Sequence, residues 1–524
     1  MVRSDPVKTT LGADDRRIVL GVALATAGAL FCVASYNFVI PSMIQSLDAS
    51  QTQGALLRQL PGVGGLLAIF VAGVLVMRIG AQRCIVWAGG FMIVGYLGTF
   101  LAPNITTVML GLTSAHIGKA TALVASVSLL SSTLRDKNSR ATGFATLAMV
   151  TPAVYVVVPI LASFLVGSFG WRWVTVIWLL GGGLVFVSGL KVLSPHRPHV
   201  PRRGEIWTPL LAGVVLVGLT QIVRLGANDG LTTEPMAVAL GATAIGAGTL
   251  VLLMRKLSVP SMSFSLLRHG SLVTLLLVLI LFCFSNLWFY GTVGAQYVYS
   301  MTVFQVSLIF IPIQLAGILG ARYSGRLVKA RGLTFTGTSG ILICAAMCFL
   351  CWFQTVTISI VVPVLLLMVF GACAAGAAGT VTNSVMSLAP EGDEGRTSAF
   401  RSAAVSLGTS LGTVFLSAIV FTTMTSSMSS QSSSTGLSLD GATQIAKAVI
   451  HGASSEEVAS QYSVPVAVVD EITSYERQAA VEGFRAQGLG SGVMLLAAAG
   501  LFYAARRRID RNDAAMDERE SQPV

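Results

Sequence analysis

Two titratable side chains three residues apart, His116 and Lys119, stand in the middle of an apolar stretch placed at 105–133. That spacing puts both on one face of a helix. Histidine is the side chain whose ordinary pKa lies nearest neutrality, and lysine is a compact positive charge, so the pair offers proton exchange or anion recognition. Arg58 is the third ionisable group inside an apolar stretch, near its end. The 23 acidic residues, by contrast, all fall in connections, tails or the edges of apolar stretches. On this reading no buried carboxylate is on hand to carry a proton or hold a cation. Uncharged candidates for the lining of a cavity are Tyr36, Asn37, Tyr155, Asn286, Trp288, Tyr290, Gln296 and Gln314. Each has a plainer alternative. Lys119 can bond carbonyls of a neighbouring helix, Arg58 can snorkel to the interface, His116 can be a packed core residue, and Tyr or Trp near a span end can be an interfacial anchor. Cys344, Cys348 and Cys351 share a helical face, where packing is a better reading than metal binding. No Walker sequence, metal-spaced histidine cluster or nucleophile elbow is present, and no paired catalytic groups meet at one depth. The expectation is therefore no enzyme, no metal and no cofactor.

The elements that must carry these groups follow from composition. Hydrophobic residues make up 54% of the 524 and charged residues 11%, against about 25% charged in a soluble domain. The mean hydropathy is +0.76. A water-soluble core cannot hide that much apolar surface, whereas a bilayer can. Apolar stretches long enough for roughly 30 Å of hydrocarbon lie near 18–43, 55–77, 84–102, 105–133, 141–168, 171–193, 206–224, 235–254, 271–298, 303–325, 337–354, 356–388, 398–424 and 487–505. The seventh and eighth are short and read either as two spans or as one re-entrant pair. The first seventeen residues are polar, and the first apolar segment is too long for a signal peptide.

Orientation comes from the basic residues. Alternate connections carry Arg78 and Arg83, then Arg135, Lys137 and Arg140, then the clusters around Arg202, Lys256, Arg326 and Arg507, which assigns 27 of the 34 Lys and Arg to one side. The net charge of +11 thus reads as membrane orientation and not as a nucleic-acid surface. Both termini are expected in the cytoplasm of a cell whose plasma membrane the chain crosses. The long connection 425–486 is expected outside, beginning as a Ser-rich linker and continuing in short surface helices.

An internal repeat organises the spans. "GVLVMRIG" at 73–80 and "GRLVKARG" at 325–332 share Gly-x-Leu-Val-x-x-x-Gly, so that Gly325, Leu327 and Gly332 repeat Gly73, Leu75 and Gly80, with Pro61 and Pro312 upstream. "RATGFA" at 140–145 echoes "RTSAFR" at 396–401. Two pairs at nearly one offset imply duplicated halves around a central site.

Gly73, Leu75, Arg78, Gly80 and Arg83 match the signature loop of the major facilitator superfamily, and "FGWRW", with Trp171, Arg172 and Trp173, is similar to its sixth-helix opening. The resemblance, which covers nearly the whole chain, is to the fourteen-helix drug:proton antiporter branch. It implies an all-α polytopic membrane protein of two pseudo-symmetric six-helix bundles plus two extra helices. The bundles are expected at 18–193 and 271–505, the extra pair at 206–254, and cytoplasmic tails at 1–17 and 506–524. Three departures stand out. Met77 replaces the acid that in the family pairs across helices. The fifth-helix motif keeps only Pro159, Ala162 and Ser163. Cys32 and Leu112 occupy the positions of an aspartate and an arginine that the branch often carries. The implied function is export of a small amphiphilic or drug-like molecule by a monomer. Translocation of an envelope lipid and a non-transporting structural or sensory role are the alternatives.

Overall fold

The computed structural model describes residues 12–193, 205–228, 233–257, 261, 264–285, 287–288, 290–432, 441, 444–445, 449 and 454–520. In lipid a backbone must satisfy its own polar groups, and an apolar chain does so as helices. The N-terminal half comprises α1 (Ala13–Ser46), α2 (Gln51–Ile79), α3 (Ala81–Phe100), α4 (Ile105–Thr133), α5 (Lys137–Phe169) and α6 (Trp171–Val187). A π turn, Ser188–Val192, prolongs α6. Polar starts are capped from the sequence. Ser50 and Gln53 close a capping box on α2, Asn104 caps α4 and Asp136 caps α5.

Next come α7 (Trp207–Asn228) and α8 (Glu234–Lys256), two separate helices of about 33 Å each at 1.5 Å per residue. The re-entrant alternative is thereby set aside. The C-terminal half holds α9 (Gly270–Phe284), α10 (Ala295–Tyr299), α11 (Val303–Leu350), α12 (Val361–Met386), α13 (Glu394–Ser432), the short α14 (Ser455–Tyr462) and α15 (Val466–Glu520). Among the described residues, twelve helices are long and apolar enough to cross a membrane. One of them, around α11, is two crossings joined at Gly332 (φ 80°, ψ 171°), and the shorter α9 is carried onward through a π turn, Tyr290–Gly294, into α10. Counted this way, the described residues are consistent with fourteen passes. The ninth crossing is broken near Ser285 where the sequence suggested one rod. The late connection differs too: α13 runs on to Ser432 and α15 begins at Val466, because both continue past the apolar stretch as amphipathic helix.

The repeat is visible in the contacts. Gly80 (φ 90°) joins α2 to α3 as Gly332 joins the two limbs of α11, a backbone state that glycine adopts without strain. A methyl placed on Gly73 would stand 2.8 Å from Ala399 Cβ and 2.8 Å from the Gly395 carbonyl oxygen of α13. One placed on Gly325 would stand 2.7 Å from Ala145 Cβ of α5, with the Ala141 carbonyl oxygen at 3.7 Å. Each half thus presents its glycine to the other half's pair of small residues one turn apart, which lets the backbones approach closely. The wider packing obeys the same exchange. α2 lies on α13 and α5 on α11, while α4 touches α13 and α5 touches α12. The α7–α8 pair stands outside this symmetry, with α7 packed on α2 and α13 and α8 packed on α7.

Candidate functional site

The contacts that hold the halves together gather at the end bearing the Arg78, Arg83 and Arg135 loops, here named the basic end. Ser398 Oγ donates to the Val124 carbonyl (2.8 Å) and Ser131 Oγ to the Met386 carbonyl (3.3 Å). Phe70 meets Phe400 edge to face at 5.5 Å between centroids. Arg135 pairs with Glu391 at 2.9 Å, an exposed bridge worth about 1 kcal/mol or less. Met77, where the signature loop places an acid, is buried, and a methyl on Gly395 would stand 3.1 Å from its Cγ. Apolar packing therefore replaces ion pairing at that junction. Leu75 and Arg78 are half-buried beside it, and Arg83 is exposed at the start of α3.

Midway along α4, His116 and Lys119 lie opposite Cys32 and Tyr36 of α1. The His116 ring meets the Tyr36 ring at 6.2 Å, and its Nδ1 stands 2.9 Å from the Leu112 carbonyl. A carbonyl only accepts, so Nδ1 carries the proton and the lone pair is on Nε2. This histidine is buried at 7% exposure and held by its own helix. Lys119 is different. It is half-buried, its ammonium acts electrostatically on Cys32, and it has no hydrogen-bond or ion-pair partner among the described residues. Tyr36 donates to the Leu57 carbonyl (2.5 Å) and lies within electrostatic reach of Arg58, which is exposed toward the far end of α2. Tyr155 of α5 also lies close enough to Cys32 to interact with it. Beneath them Trp178 donates to Ser35 Oγ (2.8 Å), with Tyr36 and Tyr96 against its ring. Asn37 is exposed on α1. His116, Lys119, Tyr36 and Tyr155 are thus brought together in the N-terminal half, with Arg58 at their edge.

The other candidates do not join them. Trp288 packs between Phe310 and Phe370, each at 5.8 Å, and Tyr290 packs on Phe484 at 5.3 Å. Gln296 donates to the Thr292 carbonyl of its own turn (2.9 Å), and Gln314 is buried in α11. Asn286 lies outside the described residues. The "FGWRW" segment is a clamp at the far end: Trp171 Nε1 donates to Ser46 Oγ (2.5 Å), Arg172 to the Ala102 carbonyl (2.9 Å), and Trp173 is exposed. Pro159 is buried within α5. The three cysteines sharing a face, Cys344, Cys348 and Cys351, are buried as packing residues.

Sequence reading missed Arg401. It was counted with the loop cations, yet α13 begins at Glu394, so Arg401 sits two turns inside the helix. Its Nη1 reaches Thr382 Oγ1 at 3.4 Å, it acts electrostatically on Cys283, and its Nε is buried without a hydrogen-bond partner. The signal available was the five-residue step from Arg396, which turns the two side chains to different faces. Each half thus sets a half-buried cation beside a cysteine of its own first crossing, Lys119 by Cys32 and Arg401 by Cys283. Among the described residues, Asp and Glu lie only at helix ends, in connections or in the far-end extension of α15, where Glu476 is buried.

Comparison with known proteins agrees with this architecture. The sequence model described as Major Facilitator Superfamily matches residues 22–413. The chain is 24% identical over 361 residues to the Multidrug resistance protein Stp of Mycobacterium tuberculosis (strain CDC 1551 / Oshkosh), covering 68% of this chain and just 66% of that protein. It is likewise 24% identical over 335 residues to the Methylenomycin A resistance protein of Streptomyces coelicolor, covering 61% of this chain and 69% of that one. Among solved structures, the human organic anion transporter MFSD10 (TETRAN) superposes with a TM-score of 0.61 at 12% identity, over 93% of this chain and 99% of that one. A bacterial homologue of the iron transporter ferroportin in its outward-facing state gives 0.59 at 13% identity, over 95% and 100%. Those two likenesses speak for the fold. Helices, repeat and sequence match converge on one assignment: this chain, which spans just under two thirds of the first of those relatives, belongs to the Major Facilitator Superfamily of multi-pass membrane proteins.

Proposed function

We propose that the protein exports a small amphiphilic molecule, neutral or anionic, by rocking its two halves about the seams α2–α13 and α5–α11. The observation that carries this reading is the half-buried, unpartnered ammonium of Lys119 midway through the membrane, in a set of described crossings whose middles hold no carboxylate. An ammonium without a counter-ion in low dielectric favours a ligand that supplies negative charge or strong acceptors, and it repels a lipophilic cation. Arg401 in the other half adds to the same bias. The printed names of the sequence relatives, a multidrug and an antibiotic resistance protein, support a small-molecule cargo. With the basic end in the cytoplasm, as the Lys and Arg distribution favours, the described contacts close the cytoplasmic side. An anion leaving an inside-negative cell gains about 2.3 kcal/mol per charge per 100 mV, so its export does not require a proton gradient.

Flux in proteoliposomes tests this. Anionic and neutral amphiphiles are expected to move without an imposed pH gradient, and Lys119→Gln is expected to lower anion flux about tenfold or more, the loss of one charge-assisted hydrogen bond in a dry site. Strong, pH-gradient-driven flux of a lipophilic cation by the wild-type protein would overturn the reading.

A further inference from the structure

We propose that the C-terminal half carries a binding site for one acidic phospholipid of the leaflet at the basic end, in the groove between the second limb of α11 and the last turns of α15. The groove encloses about 630 Å³. Its two walls are graded in the same order from rim to membrane interior. On α11, Arg331 stands at the Gly332 break, Thr334 and Thr338 follow at one-turn steps, and Leu342 lies one turn deeper. On α15, Arg511 and Arg507 lie at the rim, and Tyr503 lies one turn deeper. Cation, hydroxyl and apolar side chain in that sequence match the phosphate, glycerol ester and acyl chain of a phospholipid.

Charge complementarity selects an acidic headgroup. The carboxylate in the groove, Asp510, is already engaged by Arg506 (2.6 Å) and by the Thr334 hydroxyl (2.7 Å). Arg331, Arg507 and Arg511 have no ion-pair partner among the described residues. Arg331 instead stacks on Phe335 at 4.9 Å and Arg507 on Tyr503 at 4.8 Å, which holds two guanidinium planes at the rim with donor edges free. The Thr338 hydroxyl is buried beneath them without a hydrogen-bond partner. Basic pockets between crossings at this depth suit phosphate headgroups. The repeat supplies an internal contrast. At the equivalent place in the N-terminal half, Gln82 donates to the Gly189 carbonyl (2.5 Å), and Arg17 donates to the carbonyls of Val192 (2.7 Å) and Lys191 (2.9 Å). There Gln82, and Arg17 reaching over from α1, are consumed by backbone carbonyls.

Native mass spectrometry of the full chain, released from micelles doped with phosphatidylglycerol or with phosphatidylcholine of the same acyl chains, tests the site. One phosphatidylglycerol is expected to be retained in preference to phosphatidylcholine. The combined R331Q/R507Q/R511Q variant is expected to reduce that retention at least tenfold, and R331K/R507K/R511K to reduce it less. The control R255Q/K256Q/R268Q, which removes the same charge elsewhere at the basic end, is expected to leave it unchanged. Retention lowered equally by the control, or unaffected by the groove variant, overturns the proposal in favour of general surface attraction. Displacement of the lipid by millimolar glycerol phosphate overturns it in favour of a soluble phosphate ligand. Should the triple variant fail to fold, R511Q alone, at an exposed rim position, is read in the same way: unchanged retention overturns the site.

Discussion

Glu205 accepts hydrogen bonds from the backbone N–H of Thr208 (2.7 Å) and of Ser261 (3.0 Å) and from the Thr208 hydroxyl, tying the start of α7 to the segment before α9. Burial alone would raise its carboxyl, but those donors, with the Trp207 N–H, outweigh it and hold the group below its ordinary value. A depressed folded value means that this tie stabilises the protein above the unfolded pKa of about 4.3 and is lost as pH falls through the lower folded value. Glu205→Gln is expected to cost about 1 kcal/mol at neutral pH, a screened cap-like interaction, and the thermal midpoints of variant and wild type are expected to converge as pH drops below about 4. At this scale the sequence was a partial guide to the candidate site. His116, Lys119 and Tyr36 were legible because a polar residue inside an apolar stretch is conspicuous and a three-residue step fixes its face. Arg401 was not, since it falls at the very edge of the apolar stretch 398–424, where a cation reads as part of the loop, while the helix itself begins a turn earlier at Glu394. Tyr290 and Gln296 drew attention by residue type alone, and type does not tell a cavity wall from an aromatic packed inside one bundle.

Gly73 and Gly325 show what an element asks of a residue. Each sits against a small residue of the other half, Ala399 for Gly73 and Ala145 for Gly325, so a side chain there acts as a wedge. Gly73→Val and Gly325→Val are each expected to disfavour the closed basic end by about 1–3 kcal/mol, the usual cost of overpacking. The effects should be similar because the contacts are related by the repeat. Labelling of a Ser398→Cys reporter by a maleimide supplied from the basic end measures this, with a rise of roughly tenfold expected. Helix existence and number were legible from apolar length. Two features were not. The break in the ninth crossing leaves the apolar run "SLVTLLLVLILFCFSNLWFYG" uninterrupted, and the far-end segment expected as short surface helices is instead one helix running unbroken from Val466 into the last crossing.

For the molecule as a whole, the seam contacts define the closed state of the rocking motion we propose. A Val124→Cys, Ser398→Cys pair, placed where the Ser398 hydroxyl meets the Val124 carbonyl, is expected to cross-link under mild oxidation and to abolish flux, which returns on reduction. Retained flux in the fully cross-linked protein would show that the basic end does not need to part. The α7–α8 pair bears on how it parts. A duplicated chain ought to have two interchangeable flanks, but this one is ballasted on one side only: in the proposed motion α5 and α11 would separate as bare rods, whereas α2 and α13 would carry the α7–α8 pair with them. Drag and lipid displacement would then differ between the flanks, making the opening lopsided even though the two halves are related by the repeat.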